Sequence, residues 1–434
     1  MRSAAAAIAL LAACSSDLAA PPAADGSGST DAPTSSSSSS DATDGSGTDS
    51  TTSDAPACSG AWAQAPLVRA SSWSAVDPRL STGRSVAIAP DGDVVAAHAS
   101  WSDPTTDADV LLVRYDPGLA PRWIDAYAGS GLGDHPLGVV VDALGRPYAL
   151  ARENLSEVHA ETWTYVDSRL VLLAYEADGR HRWRWELESD PADPTWPNDQ
   201  RRGALAIDDD GHLHLLATGD LGVQMDELQL VEFDGFGNVL RHTSGVGAAG
   251  FELRGFALTS DGEARVLTDA YPGVGEQGGM VYAIARDGSV RDFAAVRGDR
   301  PRVESLAIGP SDEVVVVGRG SQAPGFVRAF GADGSPSFAI DTQLPDQIGG
   351  VVVACDGTII LVGTNLDRVE VVALHRDGER AWSIGVPTEG AINSVHALAI
   401  AIADDETSIA VVGTAGLDGA EHSSGPWLAV IAPE

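Results

Sequence analysis

The sequence predicts an all-β fold, a seven-bladed β-propeller of four-stranded antiparallel blades that is closed by the N-terminal strand in the last blade. Three observations support this prediction. One segment design recurs along the chain, each copy contains two hairpin signals, and the last copy lacks a strand that the N-terminal end of the domain can supply.

The recurring design is clearest in residues 349–382, which read GGVVVACDGTIILVGTNLDRVEVVALHRDGERAW. Two β-rich runs flank an Asp-Gly, and after a variable loop an aliphatic run leads to a second Asp-Gly and often a Trp. This dipeptide between apolar runs indicates a hairpin, and we predict type I′ turns, with positive φ at both central residues. The first turns are Asp91-Gly92, Leu144-Gly145, Asp210-Gly211, Asp261-Gly262, Ser311-Asp312, Asp356-Gly357 and Asp404-Asp405; the second turns are Asp116-Pro117-Gly118, Asp178-Gly179, Gly237-Asn238, Asp287-Gly288, Asp333-Gly334 and Asp377-Gly378.

Two hairpins per copy give four strands, labelled A to D, and successive first turns lie 45 to 66 residues apart. A four-stranded unit of about 40–50 residues that repeats radially is a propeller blade. A solenoid is the main alternative, but solenoid repeats are usually shorter or helical, and this chain shows no sustained helical period.

The two ends of the repeat region complement each other. Residues 394–431 supply strands A, B and C of a seventh blade but no strand D. Residues 58–70 precede the first strand A and are interpreted as a displaced second turn and strand D, with Trp62 near the place of the outer-strand Trp. Because an open ring would leave an unpaired edge, we expect the N-terminal strand to pair into the last blade.

The repeats resemble a known family. Strand B ends in an apolar run followed by Gly, as in Val317-Gly318, Val362-Gly363 and Val412-Gly413, and strands C and D carry the Asp-Gly and Trp signature. These motifs resemble bacterial seven-bladed propeller repeats of the SBBP type, and the outer-strand portion resembles quinoprotein-like repeats. The resemblance covers residues 84–431, although blade 2 has Leu-Gly and blades 3 to 5 lack the outer Trp or have Phe. It implies a fold rather than one function, because such families include scaffolds, adhesins and uncharacterised exported proteins.

Residues 1–13 have the features of an export signal. Arg2 precedes the apolar run AAAAIALLAA, and the segment Leu11-Ala12-Ala13-Cys14 resembles the bacterial lipobox, whose Cys becomes the lipidated N-terminus. We therefore predict a lipoprotein that is anchored in the outer membrane or at the cell surface by acyl chains such as palmitate on Cys14. The alternative is an ordinary signal peptide that happens to contain a Cys.

Residues 14–57 are predicted to be a disordered tether, since Ser, Thr, Asp, Gly, Ala and Pro dominate and cannot bury enough surface to offset ordering. A flexible coil of this length spans roughly 36 Å. Residues 58–434 are then the propeller domain. The expected layout is a signal peptide, a tether that holds the domain off the membrane, and one domain, which we expect to be monomeric.

Charge limits the class of partner. The net charge is −35, and all 27 basic residues are Arg, so the surface repels nucleic acid and anionic headgroups. We therefore predict no nucleic-acid binding. The acidity also has a simpler interpretation, which is that it keeps an exported domain soluble.

Cysteine usage leaves two alternatives. The chain has two cysteines besides Cys14, which are Cys58 and Cys355. An exported protein can form a disulfide between them, because the environment outside the cytoplasm is oxidising. In the propeller prediction Cys355 lies at the A–B turn of blade 6 and Cys58 begins the borrowed strand of blade 7. A bond between them would staple the tether end to a neighbouring blade; otherwise both are free thiols.

Catalytic and cofactor motifs are weak, and we predict no catalytic residue, cofactor or metal. The segment Gly245–Gly250 matches a dinucleotide fingerprint literally but lacks the strand-to-helix context, so we interpret it as a loop. One A–B turn resembles half of a calcium loop, but no closing Glu follows at the right distance. Two nearby His alternate on one strand face and could ligate a metal, but no third ligand is found near them. The residues concerned are Asp208, Asp210, Gly211, His212 and His214.

The B–C and D–A loops share one face of a propeller, and here they vary most in length. The longest are residues 152–169 and 189–202. Large aromatic residues beside Asp and Asn in these loops suit a sugar or protein partner. The candidate binding face is Trp101, Trp163, Tyr165, Trp196 and Tyr271.

We therefore expect a binding or scaffold module for a protein or glycan. The alternatives are an extracellular carbohydrate-active enzyme, a lyase or hydrolase, and a structural or adhesion coat protein. For the aromatic residues the competing interpretation is that each ring packs under its own loop as a small satellite cluster.

Overall fold

The computed structural model describes 28 β-strands and a single 3₁₀ turn, Ala61–Ala63. The chain divides into a unit Met1–Asp54 and a unit Ala55–Glu434, and every described residue belongs to the second. None of the helical structure among these residues is long and apolar enough to span a membrane. The described residues are 60–73, 80–100, 109–129, 133–159, 164–187, 202–220, 226–248, 251–270, 278–297, 301–320, 324–365, 368–387, 395–416 and 424–433.

The strands form seven four-stranded antiparallel sheets, which are the blades. In order from strand A to strand D, blade 1 is β2 (Leu80–Ile88), β3 (Val94–Ser100), β4 (Asp109–Tyr115) and β5 (Pro121–Tyr127), and blade 2 is β6 (His135–Val141), β7 (Pro147–His159), β8 (Thr164–Tyr175) and β9 (His181–Leu187). Blade 3 is β10 (Gly203–Ile207), β11 (Leu213–Asp220), β12 (Asp226–Phe233) and β13 (Val239–Ala248), and blade 4 is β14 (Phe251–Leu258), β15 (Ala264–Ala270), β16 (Gly279–Ile284) and β17 (Val290–Ala295). Blade 5 is β18 (Arg302–Ile308), β19 (Val314–Arg319), β20 (Gly325–Phe330) and β21 (Pro336–Ile340), and blade 6 is β22 (Gln347–Val353), β23 (Ile359–Asn365), β24 (Arg368–Leu374) and β25 (Arg380–Val386). Blade 7 is β26 (Val395–Ile402), β27 (Ile409–Gly416), β28 (Ser424–Ala432) and, from the other end of the domain, β1 (Leu67–Trp73).

The ring is closed as the sequence predicts. The A strands contact one another in chain order from blade 1 to blade 7, and β26 of blade 7 contacts β2 of blade 1. Strand β1 pairs antiparallel with β28, with Leu67 opposite Ala432 and Trp73 opposite Trp427. The predicted all-β, seven-bladed architecture and its closure by the N-terminal strand are therefore confirmed.

The hairpins lie where they were predicted, but the type I′ assignment is wrong. In blade 1 the amide of Gly92 donates to the carbonyl of Ala89 (2.8 Å), and the amide of Ala89 donates to the carbonyl of Asp93 (2.8 Å). Only Gly92 of the three loop residues has positive φ, at 81°. The loop is therefore a type I turn followed by one left-handed residue, which matches strand twist with a single positive φ. The A–B and C–D turns of blades 1 to 6 share this bonding, with Leu119 and Asp312 as the non-glycine left-handed residues.

In all of these turns except the A–B turn of blade 5, where Glu313 accepts the amide of Ser311, an Asp accepts backbone amides from one of two positions. In one group it precedes the Gly, as Asp287 does, and its Oδ1 accepts the amide of Ser289 at 2.9 Å. In the other group it stands two residues earlier, as Asp142 does when it accepts the amide of Leu144 at 3.0 Å. The second arrangement frees the position before the Gly, which explains the Leu-Gly of blade 2. Leu144 there is 69% exposed, and Phe236 at the same position of the C–D turn of blade 3 is 77% exposed.

The core lies between the blades. The buried apolar side chains of the described residues form seven clusters, one in each gap between neighbouring blades. Both faces of a blade are thus covered, which is why inner strands are continuous apolar runs rather than alternating ones. Strand β19 shows this, because all four residues Val314–Val317 are fully buried. Each such side chain contributes roughly 1.5–3 kcal/mol to folding.

The outer-strand aromatic residues join each blade to the next. The indole of Trp123 in blade 1 packs on Gly179, where an added Cβ would lie 2.8 Å from its Cδ2. The same indole donates its Nε1 proton to the carbonyl of Ala177 (3.0 Å) in the C–D turn of blade 2. Trp183 of blade 2 packs equally closely on Gly237 in blade 3. The Asp-Gly and Trp signature is therefore an inter-blade joint, in which the Gly makes room for the aromatic ring of the preceding blade.

The predicted role of Trp62 is wrong, and the structure shows a different one. Trp62 lies in the 3₁₀ turn before β1, fully buried in the gap between blades 6 and 7. Its carbonyl accepts the indole proton of Trp382, the outer-strand Trp of blade 6, at 2.7 Å. The segment thus takes the place of the C–D turn that blade 7 lacks, because the Trp of blade 6 still needs an acceptor there. The strand itself begins later than residues 58–70 suggested, at Leu67.

Candidate functional site at the loop face of blades 1 and 2

The B–C hairpin of blade 2 is the longest of the described hairpins. Its strands β7 and β8 have 13 and 12 residues, and their pairing continues to His159 opposite Thr164. A register shift between Asn154 and Ser156 marks where the hairpin leaves the blade. Residues 152–169 were predicted to be a loop, because their polar side chains give no apolar run. They are strand over most of their length and form an arm on the face that carries the B–C and D–A connections, called here the loop face.

A buried carboxylate lies at the root of this arm. Glu153 is 2% exposed and accepts hydrogen bonds from Arg169 Nε (2.7 Å), Arg184 Nη2 (3.1 Å) and the hydroxyl of Tyr127 (3.0 Å). The two Arg also contact Glu186, at 2.5 and 2.6 Å. We call these five residues the root cluster. Its two Arg and two Glu balance in charge, so the buried Glu153 carboxylate has two cationic partners.

The root cluster joins blade 1 to blade 2. Tyr127 ends the outer strand of blade 1, and the Arg184 guanidinium of blade 2 lies over its ring, 5.3 Å from the centroid. Burial, and then the Glu153 carboxylate, raise the pKa of Tyr127 well above its usual value. The chain of the D–A connection also crosses closely, since a Cβ on Gly129 would lie 2.5 Å from Glu153 Cδ. The arm is therefore fixed by contacts from two blades.

A second buried carboxyl lies beside the root cluster. Asp134 is 1% exposed and its Oδ2 accepts the amide of Gly129 at 2.7 Å. Burial, with a smaller effect from the Glu153 charge, raises the pKa of Asp134 to about 6, although backbone amides oppose the shift. Next to it, burial and the charges of Arg152 and Arg84 lower the pKa of His135 to about 4. Because Asp134 is buried, it is not accessible to a ligand. Its role is structural, since it binds the backbone of the D–A connection at Gly129.

The predicted aromatic residues fall largely outside the described residues. Tyr165 belongs to β8, where it is opposite Val158 in the arm, although its side chain is not described. Trp163 is in the connection between the two strands of the arm, outside the described residues. Trp101, Trp196 and Tyr271 are also outside them, so the candidate binding face stays a prediction.

The cysteines are also only partly described. Cys355 lies in the A–B turn of blade 6 and is disulfide-bonded. Its amide donates to the carboxylate of Glu406 in blade 7, and its Sγ lies 3.2 Å from Glu406 Oε2. Cys14 and Cys58 lie outside the described residues, so the pairing with Cys58 stays a prediction. The described residues begin at Gly60, which lies next to the A–B turn of blade 6: an added Cβ on Gly60 would be 3.8 Å from Asp356 Oδ2.

Sequence reasoning did not find the root cluster. Its members come from strands of two blades and share no linear motif, so their proximity appears only in the folded ring. One signal was present in β9, which reads HRWRWEL and places Trp and Arg on alternate faces of an outer strand. That alternation predicts a charged face, but it does not identify Glu153 as its partner.

Comparison with known proteins supports the fold. No protein-family model matches the chain, and neither does any curated protein. The crystal structure of the RRP9 WD40 repeats is 13% identical, with a TM-score of 0.54 over 85% of this chain and 99% of that one. The structure of U3-55K is 12% identical, with a TM-score of 0.54 over 85% of this chain and 100% of that one. A protein of unknown function from Dyadobacter fermentans DSM 18053 is 11% identical, with a TM-score of 0.48 over 85% of this chain and 99% of that one. The first two similarities, each with a TM-score of 0.54, show the propeller fold alone at these identities.

Proposed function

We propose that this protein is a lipid-anchored propeller of the cell envelope that binds a protein or glycan partner at the loop face of blades 1 and 2. The observation that carries the proposal is the arm of blade 2, a long hairpin that is fixed at its root by a buried charge cluster. Function in such folds usually lies on connections that a rigid scaffold positions. Burying charged groups has a large desolvation cost. A hairpin that only connected two strands in solvent would not require a buried charge cluster at its base, so the root cluster supports a role for the arm.

Two of the predicted aromatic residues belong to the arm by their position in the sequence. Tyr165 is in its second strand and Trp163 is in its connection. Aromatic rings with a polar atom combine apolar contact area with hydrogen bonding, and they are enriched where proteins meet partners or sugars. A rigid root lowers the ordering cost of binding because β8, the strand that contains Tyr165, is already paired with β7.

The anchoring part of the proposal rests on the first residues of the chain. Residues 1–13 are the lipoprotein signal, residues 14–57 are the tether and residues 58–434 are the domain. The SBBP-type character of the repeats belongs to the same proposal, since it rests on the ends of strand B and on the Asp-Gly and Trp signature. Replacing the acylated Cys, Cys14→Ser, should abolish metabolic labelling with a fatty-acid analogue, because one lipidated Cys is the anchor that these residues offer. Equal labelling of variant and wild type would refute the anchor.

Binding is tested with the full chain on a glycan array and in pull-downs from envelope extracts. Ala at Trp163 or Tyr165 should weaken partner binding by roughly 1–3 kcal/mol and leave the melting temperature unchanged. Trp101, Trp196 and Tyr271 form the second set of Ala variants, since they belong to the same predicted face. Losses of stability without losses of affinity would show that the rings pack under their own loops, and would refute the loop-face site.

The opposite face supplies the matched control. The A–B and C–D turns lie there, at what we call the turn face, and its exposed Leu144 and Phe236 are the described apolar side chains that stand in place of a turn Asp. Leu144→Asp and Phe236→Asp restore the residue that most other turns carry, so both variants should fold. They should also leave loop-face binding unchanged. Loss of partner binding in these two variants alone would move the site to the turn face.

A further inference from the structure

The A–B turn of blade 3, on the turn face, gathers three groups that can ligate a metal ion. Ligand atoms of Asp208, Asp210 and His212 all lie within 4.8 Å of one another. His212 Nδ1 is 3.6 Å from Asp208 Oδ2 and 3.6 Å from Glu232 Oε1, which comes from the neighbouring strand C. These separations are too long for hydrogen bonds. An imidazole thus stands between carboxylates without bonding directly to either.

In the neighbouring blade, the carboxylate of the equivalent turn has its hydrogen-bond partners within the blade. In blade 2, Asp142 is bonded by Arg146 Nε at 2.6 Å and by the hydroxyl of Tyr148 at 3.1 Å. The turn residues Asp142, Leu144, Arg146 and Tyr148 of blade 2 correspond in order to Asp208, Asp210, His212 and His214 of blade 3. Blade 3 therefore keeps the first Asp, adds a second carboxylate, and has an imidazole, which can act as a nitrogen ligand, in place of the permanent cation Arg. The change removes the built-in counter-charge and leaves donor atoms in its place.

A buried side chain is also aimed into the cluster. His214 is 2% exposed, its Nε2 lies 3.0 Å from Asp208 Oδ2, and its Nδ1 has no hydrogen-bond partner among the described residues. Nε2 therefore carries the proton and supports the carboxylate from behind. On the other side, Arg241 Nη2 bonds Glu232 Oε2 at 2.9 Å and leaves Oε1 towards His212. Fixed second-layer partners of this kind orient the ligands of protein metal sites.

We propose that this cluster binds one divalent transition ion of the Zn²⁺ type through Asp208, Asp210 and His212, with Glu232 as a fourth ligand. Donors at 2.0–2.2 Å from a tetrahedral ion are about 3.3–3.6 Å apart. His212 Nδ1 lies 3.6 Å from Asp208 Oδ2 and 3.6 Å from Glu232 Oε1, which is close to that range. One imidazole with carboxylates suits such an ion, whereas Ca²⁺ takes six to eight oxygens. Asp210 is exposed, so the ion has a path from solvent.

The test is calorimetric titration of the full chain, purified without a polyhistidine tag, with Zn²⁺ and separately with Ca²⁺. Zn²⁺ should bind with one-to-one stoichiometry and raise the melting temperature, and absorption spectroscopy at the zinc edge should show nitrogen and oxygen ligands. His212→Arg, which reproduces blade 2, should fold but weaken Zn²⁺ binding on the order of tenfold or more. Asp210→Asn should weaken it similarly.

The matched control is Asp261→Asn, which changes the corresponding position in the A–B turn of blade 4, where Asp261 bonds Thr259 and the amide of Glu263. This variant should bind Zn²⁺ as the wild type does. Absence of Zn²⁺ binding would overturn the proposal. Binding that is equal in wild type, His212→Arg and Asp210→Asn would also overturn it, because the ion would then be held elsewhere, for example by the acidic N-terminal segment. Tighter binding of Ca²⁺ than of Zn²⁺ would refute the assigned class of ion.

Discussion

At the scale of single residues, the buried histidine His98 of blade 1 makes the stability of the fold depend on pH. His98 in β3 is 1% exposed, and its Nε2 lies 3.3 Å from the hydroxyl of Tyr115 in β4. Burial lowers the pKa of His98 to about 4. The folded protein therefore keeps this imidazole neutral at pH values where the unfolded chain protonates it. His98 thus couples folding to pH without belonging to a functional site.

The predicted effect of His98 has a defined sign. Because its pKa is about 6.5 in the unfolded chain and about 4 in the fold, the unfolding free energy should fall as pH drops from about 6.5 to 4, by up to about 3 kcal/mol. His135 acts in the same direction, whereas Asp134, with its raised pKa, loses stability as pH rises through about 6. His98→Leu should flatten the acid limb in denaturant titrations. His375→Leu, which changes an exposed His, should leave it unchanged, and equal slopes in all three proteins would contradict the prediction.

At the scale of secondary-structure elements, two joints between chain segments can be broken separately. One is the root of the arm, where Glu153 holds two Arg and a Tyr. The other is the contact of Trp382 with the 3₁₀ turn before β1. The first joins strands of blades 1 and 2, and the second joins blade 6 to the N-terminal end of the domain. Each should therefore control the local opening of one element as well as overall stability.

Glu153→Gln should loosen the arm. It leaves Arg169 and Arg184 without their buried counter-charge, a loss of about 3 kcal/mol or more in comparable buried pairs. Amide hydrogen exchange should rise in residues 154–159 and 164–168. Glu379→Gln, at an exposed Glu of blade 6, should cost almost nothing and change no arm amide. Unchanged exchange in Glu153→Gln would show that the root cluster does not hold the arm.

Trp382→Ala should release β1. The substitution removes a buried indole that is 7% exposed and also its hydrogen bond to Trp62, so a loss of about 3–5 kcal/mol is expected. The matched variant Trp123→Ala removes the equivalent residue of blade 1, which contacts a turn of the continuous chain. Both should lower the melting temperature, but only Trp382→Ala should speed exchange of the β1 amides. Equal exchange of β1 in both variants would rule out a special role for Trp382.

For the whole molecule, stability depends on a complete ring of seven gaps, each with its own apolar cluster. Removing β1 would expose the edge of β28 and part of the cluster between blades 6 and 7. An unpaired strand edge is a template for association with other chains.

Deletion of residues 58–73 should therefore lower the melting temperature strongly and cause aggregation, which light scattering detects. Deletion of residues 15–57 should leave the melting temperature within a degree or so, because surface changes away from the core are nearly neutral. If the two deletions behave alike, the closure of blade 7 by β1 does not stabilise the ring.

The sequence predicts the features of this fold that are local. The Asp-Gly signals identified the hairpins, and the missing strand D of the last repeat identified the closure. What local signals do not contain is the position of one blade against the next. The acceptor for Trp382 lies 320 residues away in the chain. The partners of Glu153 come from strands of two blades and share no linear motif, so neither contact could be inferred. The predicted type I′ turns were wrong for a different reason. The Asp-Gly dipeptide indicates a hairpin, but it does not indicate whether the hairpin loop has two or three residues.

The pairing of β1 with β28 also has a consequence for the order of synthesis. A ribosome makes β1 first of the described strands and its partner last, so this hydrogen-bond ladder cannot form until Ser424–Ala432 has emerged. Until then the first and the sixth blades each present an uncovered apolar flank. Joining the two ends of the domain therefore makes synthesis of β28 a condition for the native state, and products truncated before β28 should be recognised by proteases as unfinished rings.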